Sequence, residues 1–250
     1  MSEWAYLAVV PIAAAAVLQR ATGLGFALVA APFLILLFGP ESAVVLVNAC
    51  GIVAAGTGAV ADGRHVDRRR LTLLVIPAVV GIVLGVLILG LLSRPVLQIV
   101  IGAILGIGLL LTALVPVGAE PAKPRFAATA GTGLAVGMGA ALAGLPGPPV
   151  AVYARLTGWQ GKSLFATLQV LFLATATTAL SMKLLTGGEL PVAPWPFWVA
   201  IAVALIAGLV AGHFASRALS PRVGWLLVFW IAVVGTAITI VDGIARLAQA

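Results

Sequence analysis

The sequence predicts an all-α polytopic membrane protein made of two inverted repeats, each with about five helical elements and one segment broken by glycine or proline. Composition indicates the class, because 62% of the 250 residues are hydrophobic and only 8% are charged, with a mean hydropathy of +1.22. A soluble domain carries about 25% charged residues. The other two observations are a pair of very long apolar runs and a residue pattern that recurs in both halves of the chain.

The two long apolar runs cover residues 4–38 and 126–156. A helix that crosses a membrane needs about 20 residues, so each run has room for a second, shorter helix. Gly23 and Gly25 indicate a break in the first run, and Pro146, Pro148 and Pro149 indicate one in the second. Irregular backbone at membrane depth is tolerated only where it packs in protein or lines a cavity. Two breaks in corresponding places therefore predict a ligand site between them.

The other apolar segments each predict one further helix and cover residues 43–60, 71–92, 95–116, 164–185, 192–215 and 223–241. The strongly polar loop at residues 62–70 lies between the first two of them. Residues 117–125 are predicted to link the halves. The expected division is a first repeat over residues 1–116, the linker 117–125, and a second repeat over residues 126–250.

The two halves match at nearly constant offsets. At an offset of 121 residues Gly23 falls on Gly144 and Asn48 falls on Gln169. At an offset of 127 residues, after a length change in the polar loop, the glycine pairs match as Gly81 with Gly208 and Gly85 with Gly212. Any single match between alanine- and leucine-rich segments is weak, but the ordered set predicts a duplication.

Charge decides between parallel and inverted copies, because short cytoplasmic loops carry an excess of Lys and Arg. One possible topology has five helical elements in each half and the N-terminus outside. It places the basic loop 64–70, Arg155 and Arg217 on the inner side of the membrane and Glu189 on the outer side. If each broken run crossed the membrane only once, Arg155 and Arg217 would lie outside. The inverted arrangement is therefore predicted. The net charge of +7 is then a topology signal, and no nucleic-acid partner is expected.

Four features together carry a family resemblance: Gly23-Leu-Gly-Phe26 with Pro32, the loop Gly63-Arg-His-Val-Asp67, the Gly81/Gly85 span, and Gly144-Leu-Pro-Gly-Pro-Pro149 with Tyr153. They resemble the sulfite exporter TauE/SafE family, which is also described as toluene sulfonate uptake permeases. The resemblance implies a multi-pass transporter of the bacterial inner membrane for a small sulfur-containing anion, sulfite or an organosulfonate. Many members have Gly-x-Gly-Gly-Gly in both halves, whereas Phe26 and Pro146 occupy part of that run here, which leaves the anion open.

The distribution of acidic residues also favours an anion. All seven carboxylates lie at or near segment ends, so a mid-span proton relay, a carboxylate cation site and an acid pair for catalysis are not expected. A helix that begins after a break presents unpaired N–H groups and about half a positive charge. Two such helices would hold an oxyanion between them. Glycines allow close backbone approach, so Gly23, Gly25, Gly144 and Gly147 are predicted substrate-binding residues.

Four side chains complete the predicted site, each with a competing interpretation. Arg20 is either a forked donor to the anion or an inner-face topology charge whose head reaches the lipid headgroups. Asn48 and Gln169 either line the substrate path or bond across helices. Tyr153 either donates a hydrogen bond from its hydroxyl to the anion or only packs against neighbouring side chains.

The predicted function is secondary transport of the anion by alternating access, without enzymatic activity, cofactor or metal. The expected partners are the anion and membrane lipid, and homo-oligomerisation is left open. One alternative is a scaffold subunit without a substrate, against which the two broken segments argue. Another is a membrane enzyme that processes a lipid phosphate, for which only His213 and the basic loop could supply catalytic groups. The direction of transport and the coupling ion are not determined by the sequence.

Overall fold

A computed structural model describes residues 3–23, 25–114, 125–218 and 221–248, and this part of the chain is helical without strands. It contains ten α-helices: α1 (Val9–Thr22), α2 (Phe26–Phe38), α3 (Pro40–Asp62), α4 (Arg68–Leu89), α5 (Arg94–Leu114), α6 (Phe126–Ala143), α7 (Gly147–Leu156), α8 (Gly161–Leu185), α9 (Trp195–Ala218) and α10 (Pro221–Leu247). Short 3₁₀ turns at Glu3–Ala8 and Gly63–His65 precede α1 and α4.

Eight helical stretches in the described residues are long and apolar enough to cross a membrane, from Trp4–Thr22 to Leu226–Leu247. The remaining two helices, α2 with 13 residues and α7 with 10, are too short to do so alone. The prediction of an all-helical, multi-pass membrane protein is confirmed.

Several predicted segment ends were wrong by a few residues, because charged residues take part in the end turns. Helix α4 begins at Arg68 rather than near residue 71, since the Asp67 side chain caps it by accepting the Arg70 N–H at 3.0 Å. Helix α10 continues to Leu247, and Arg246 Nε donates to Asp242 Oδ2 at 2.7 Å within its last turns. Apart from Arg125, the predicted linker 117–125 lies outside the described residues.

Six of the ten helices form two groups of three. In one group α1 packs on α2 and on α9, and in the other α6 packs on α7 and on α4. Each group therefore combines a broken segment from one half of the chain with the fourth helix of the other half. The α3–α8 and α5–α10 pairs join helices of equal rank from the two halves.

Glycines allow the closest approaches within both groups. Gly208 and Gly212 of α9 face α1, where a Cβ on either would lie 2.6 Å from the carbonyl oxygen of Ala13 or Val17. Gly81 and Gly85 of α4 face α6 at Leu134, Met138 and Ala141 in the same way. Small residues at such positions let helix backbones pack closely in a membrane, where lipid gives no hydrophobic drive for association.

Gly137→Val is expected to destabilise the protein by about 1–3 kcal/mol or more, because a Cβ on Gly137 would overlap the backbone carbonyl of Ala78 and force α4 and α6 apart. Gly131→Val is the matched control on the same helix, since nothing lies within 4 Å of the Cβ it would add. Thermal unfolding of both purified variants in detergent measures the difference. Equal losses of stability would contradict the close packing of α4 on α6.

Candidate functional site

Both predicted helix breaks are present and both depend on left-handed glycines. Helix α1 ends at Gly23, whose φ is 78° and whose N–H donates to Gln19 O, and α2 starts after Gly25, whose φ is 116°. Helix α6 ends at Gly144, with φ 66° and its N–H directed to Ala140 O. Residues with a Cβ adopt such angles only at a cost, so glycine is favoured at these three positions. Gly147, the first residue of α7, has no positive φ.

The two breaks meet at one cavity of about 110 Å³. On the same measure one water molecule needs about 10–15 Å³, so the space holds a small polyatomic ligand. Residues of the first break and the start of α2 line one side, including Gly25 and Phe26. The other side is lined by the second break and the start of α7, at Gly144, Leu145, Pro146, Gly147 and Pro148. Most of the lining is apolar, and the described residues that form it carry no charged side chain.

The two helix starts at this cavity differ in their supply of donors. The first turn of a helix leaves about four N–H groups without a partner inside the helix. Helix α2 begins Gly25-Phe26-Ala27-Leu28, and all four of these residues carry an N–H. Helix α7 begins Pro146-Gly147-Pro148-Pro149, in which only Gly147 carries one. The Phe26 N–H already donates to Gln19 Oε1, so the other three residues at the start of α2 supply most of the backbone donors at this cavity.

Gln19 belongs to this site although it was not among the residues predicted from the sequence. It lines the cavity with 6% of its surface exposed, and its Oε1 accepts the Phe26 N–H at 3.1 Å. No described residue accepts a hydrogen bond from its Nε2, so the amide NH₂ is a side-chain donor available to a ligand. A signal was present in the sequence, because a glutamine one turn before a glycine break is well placed to cap the next helix.

Asn48 lines the cavity, whereas Gln169 does not. The Nδ2 of Asn48 donates to Val44 O at 2.9 Å and to Ala140 O at 3.3 Å, which uses both of its hydrogens. A ligand can therefore receive a hydrogen bond from Asn48 only if one of these is given up. The Nε2 of Gln169 lies 3.5 Å from Gly23 O. Asn48 thus joins α3 to the end of α6, and Gln169 joins α8 to the end of α1. In both cases the amide links one half of the chain to the helix before the break in the other half.

Arg20 and Tyr153 lie away from this cavity. Arg20 lines a separate groove between α1, α3 and α9, together with His213. Tyr153 is buried, and its hydroxyl lies 3.0 Å from Thr129 Oγ1 near the starts of α4 and α6. Of the eight predicted site residues, the structure brings four to the cavity: Gly25, Asn48, Gly144 and Gly147. Gly23 lies in the first break but is turned toward Phe165. The binding roles of all eight stay predictions.

Comparison with known proteins identifies a family. The model of a protein family described as sulfite exporter TauE/SafE matches residues 7–239. The chain belongs to this family. The matched range includes both breaks and every residue that lines the cavity. Searches of curated proteins and of solved structures found no match.

In this TauE/SafE member, both departures from the glycine-rich motif lie at the cavity. Phe26 and Pro146 replace part of the Gly-x-Gly-Gly-Gly run that the resemblance implies, and both line the cavity wall. The rings of Phe26 and Pro146 add apolar surface to the cavity, whereas glycine at these positions would expose the backbone. Phe26 and Pro146 therefore form part of the apolar surface that a ligand meets in this TauE/SafE chain.

Proposed function

We propose that this TauE/SafE protein is a secondary transporter that carries sulfite or a small organosulfonate through the cavity between its two helix breaks. The observation that carries the proposal is the convergence of two features on a cavity without acidic side chains among its described lining residues: the start of α2, and the Gln19 NH₂ group, which has no acceptor among the described residues. Donors and a positive helix end favour an oxyanion. The apolar part of the lining accommodates the organic portion of a sulfonate.

In this proposal the two halves are inverted repeats, and transport rocks two helix groups that each combine helices from both halves. The glycine contacts support the duplication: Gly81 and Gly85 match Gly208 and Gly212 at an offset of 127, and their partners Leu134 and Met138 match Ala13 and Val17 at an offset of 121. The moving units are the α1–α2–α9 and α6–α7–α4 groups. Because each group supplies one side of the cavity, rocking opens it to one membrane face at a time.

The lengths of the short helices support a site near the membrane centre. At 1.5 Å per residue, α2 with 13 residues is about 20 Å long and α7 with 10 residues is about 15 Å long. In the inverted arrangement they run from the central breaks toward opposite faces. Together they are about 35 Å long, slightly more than the hydrocarbon thickness of about 30 Å. The membrane is proposed to be the bacterial inner membrane.

The inverted topology predicts that residue 64 is cytoplasmic and residue 189 external. Arg64 and Glu189 are both exposed, and the single cysteine, Cys50, is buried. Cysteines placed at these two positions in a Cys50→Ala chain are expected to react with a membrane-impermeant maleimide from opposite sides. Labelling of both from the same side of oriented vesicles would contradict the inverted arrangement.

Counterflow in proteoliposomes tests the transport function. Vesicles loaded with unlabelled sulfite are expected to accumulate labelled sulfite, and a comparison with a sulfonate and with sulfate defines the preferred anion. Protein-free vesicles are the control for leakage. The absence of saturable counterflow for all three anions would overturn the proposal and favour the scaffold alternative.

A further inference from the structure

The groove that contains Arg20 opens on the lipid-facing surface of the molecule. It has a volume of about 340 Å³ and lies between α1, α3 and α9. Most of its lining is apolar, and four of the apolar side chains are 44–62% exposed: Val53, Ile206, Val210 and Phe214. In a chain that crosses a membrane, such exposed apolar surface meets lipid. The groove is therefore accessible to a molecule of the bilayer.

Basic side chains gather at one end of this groove. Arg20 of α1 and His213 of α9 both line it. They lie side by side because Gly212 lets α9 approach α1, so that a Cβ on Gly212 would lie 2.8 Å from Arg20 Cβ. Arg217, in the last turn of α9, extends the basic end, and its Nη2 lies 3.1 Å from His213 Nε2. Positive charge is thus concentrated where the groove meets the ends of α1 and α9.

This positive charge is not neutralised within the described part of the chain. None of the described residues that line the groove is acidic. Arg20 is only partly exposed, yet it has no hydrogen-bond or ion-pair partner among the described residues. A guanidinium has five N–H donors and no acceptor, so Arg217 is the donor to His213 and keeps further donors free of that contact. The two arginines therefore suit an anionic group that can accept several hydrogen bonds.

Helix packing does not require these basic side chains. In the proposed repeat α6 and α4 correspond to α1 and α9, and a Cβ on Gly85 of α4 would lie 2.7 Å from Ala141 Cβ of α6. At the offset of 121 residues Arg20 falls on Ala141. At the offset of 127 residues His213 falls on Val86. The corresponding helix pair makes the same close approach without charge, so the basic groups are free for another role.

We propose that this groove binds an anionic phospholipid, whose phosphate lies between Arg20 and Arg217 and whose acyl chain lies along Val210 and Ile206. Basic pockets between membrane-spanning helices suit anionic headgroups. From Phe214 back to Ile206 the groove follows α9 for about 12 Å, which leads from the basic end toward the membrane interior. Its described lining residues include none that line the cavity between the helix breaks. The proposal therefore does not depend on the transport function.

Native mass spectrometry of the purified, delipidated full-length chain tests the headgroup contact, with dioleoyl phosphatidylglycerol and dioleoyl phosphatidylcholine as probes. The parent chain is expected to prefer phosphatidylglycerol. Arg20→Gln combined with Arg217→Gln should reduce its affinity for this lipid about 10-fold or more. Arg68→Gln combined with Arg69→Gln is the matched control, because both residues are exposed and neither lines the groove, and its effect should stay within about 2-fold. An equal loss in the control would show attraction by general positive charge and overturn the proposal.

Val210→Trp tests the acyl-chain contact without a change in charge and serves if the double arginine variant does not fold. The indole would occupy the groove, so phosphatidylglycerol binding should fall. Val234→Trp is the matched control, since Val210 and Val234 are both 53% exposed and Val234 does not line the groove. Equal affinity of the parent for the two lipids, or undiminished phosphatidylglycerol binding in Val210→Trp, would overturn the proposal. A dimer that Val210→Trp abolishes, with no lipid bound by the parent, would assign the groove to a second copy of the chain instead.

Discussion

Gln19→Glu is expected to abolish anion binding while leaving the protein folded. The new carboxylate has the same shape and still accepts the Phe26 N–H, and a negative charge at the start of α2 stabilises that helix. However, it replaces the amide NH₂ on the cavity with a negatively charged oxygen. Loss of one hydrogen bond to a charged ligand alone costs about 1.5–3 kcal/mol, or roughly 10- to 150-fold in affinity. Repulsion between like charges increases this loss.

Gln19→Met serves as the matched variant, because it removes both the cap and the donor without adding charge. Anion binding and thermal stability should both fall in Gln19→Met, whereas only binding should fall in Gln19→Glu. Calorimetry and thermal unfolding on the same preparations separate the two effects. Undiminished sulfite binding in Gln19→Glu would show that this amide does not contact the anion.

Gly25→Ala is expected to reduce anion binding by at least about 10-fold. Its φ of 116° is unfavourable for any residue with a Cβ, and the added methyl would lie 3.0 Å from Val228 Cγ1. The backbone at the start of α2 must therefore shift, and the N–H groups at the cavity shift with it. Transport in proteoliposomes and binding in detergent measure the loss.

Gly187→Ala provides the control for backbone strain. Gly187 has a φ of 89°, follows α8, and has nothing within 4 Å of an added Cβ. The positive φ should therefore cost each alanine about 1–2 kcal/mol of stability, with a further loss at Gly25 from the contact with Val228, but only Gly25→Ala should affect the anion. Equal anion affinity in the two variants would mean that the first break serves only to shape the fold.

Local chemistry allowed the sequence to predict the helix breaks. Proline lacks an N–H and disfavours helix in the residue before it, and glycine alone adopts positive φ cheaply, so the ends of α1 and α6 could be located without any tertiary information. The same is true of the membrane class, which follows from composition. The ends of the other helices were less predictable, because charged residues such as Arg68 continue a helix once a cap like Asp67 is in place.

The direction in which each polar side chain points was decided only by the tertiary structure. Gln19 and Arg20 are neighbours in sequence, but successive residues on an α-helix lie about 100° apart around its axis. Packing of α9 against α1 through Gly208 and Gly212 fixes the rotation of α1, so that Gln19 meets the cavity and Arg20 meets the groove. The sequence by itself determined the membrane class and the two breaks, because these follow from composition and from single residues. Helix packing determined which polar groups lie together at the cavity, because packing brings residues that are far apart in the chain into contact.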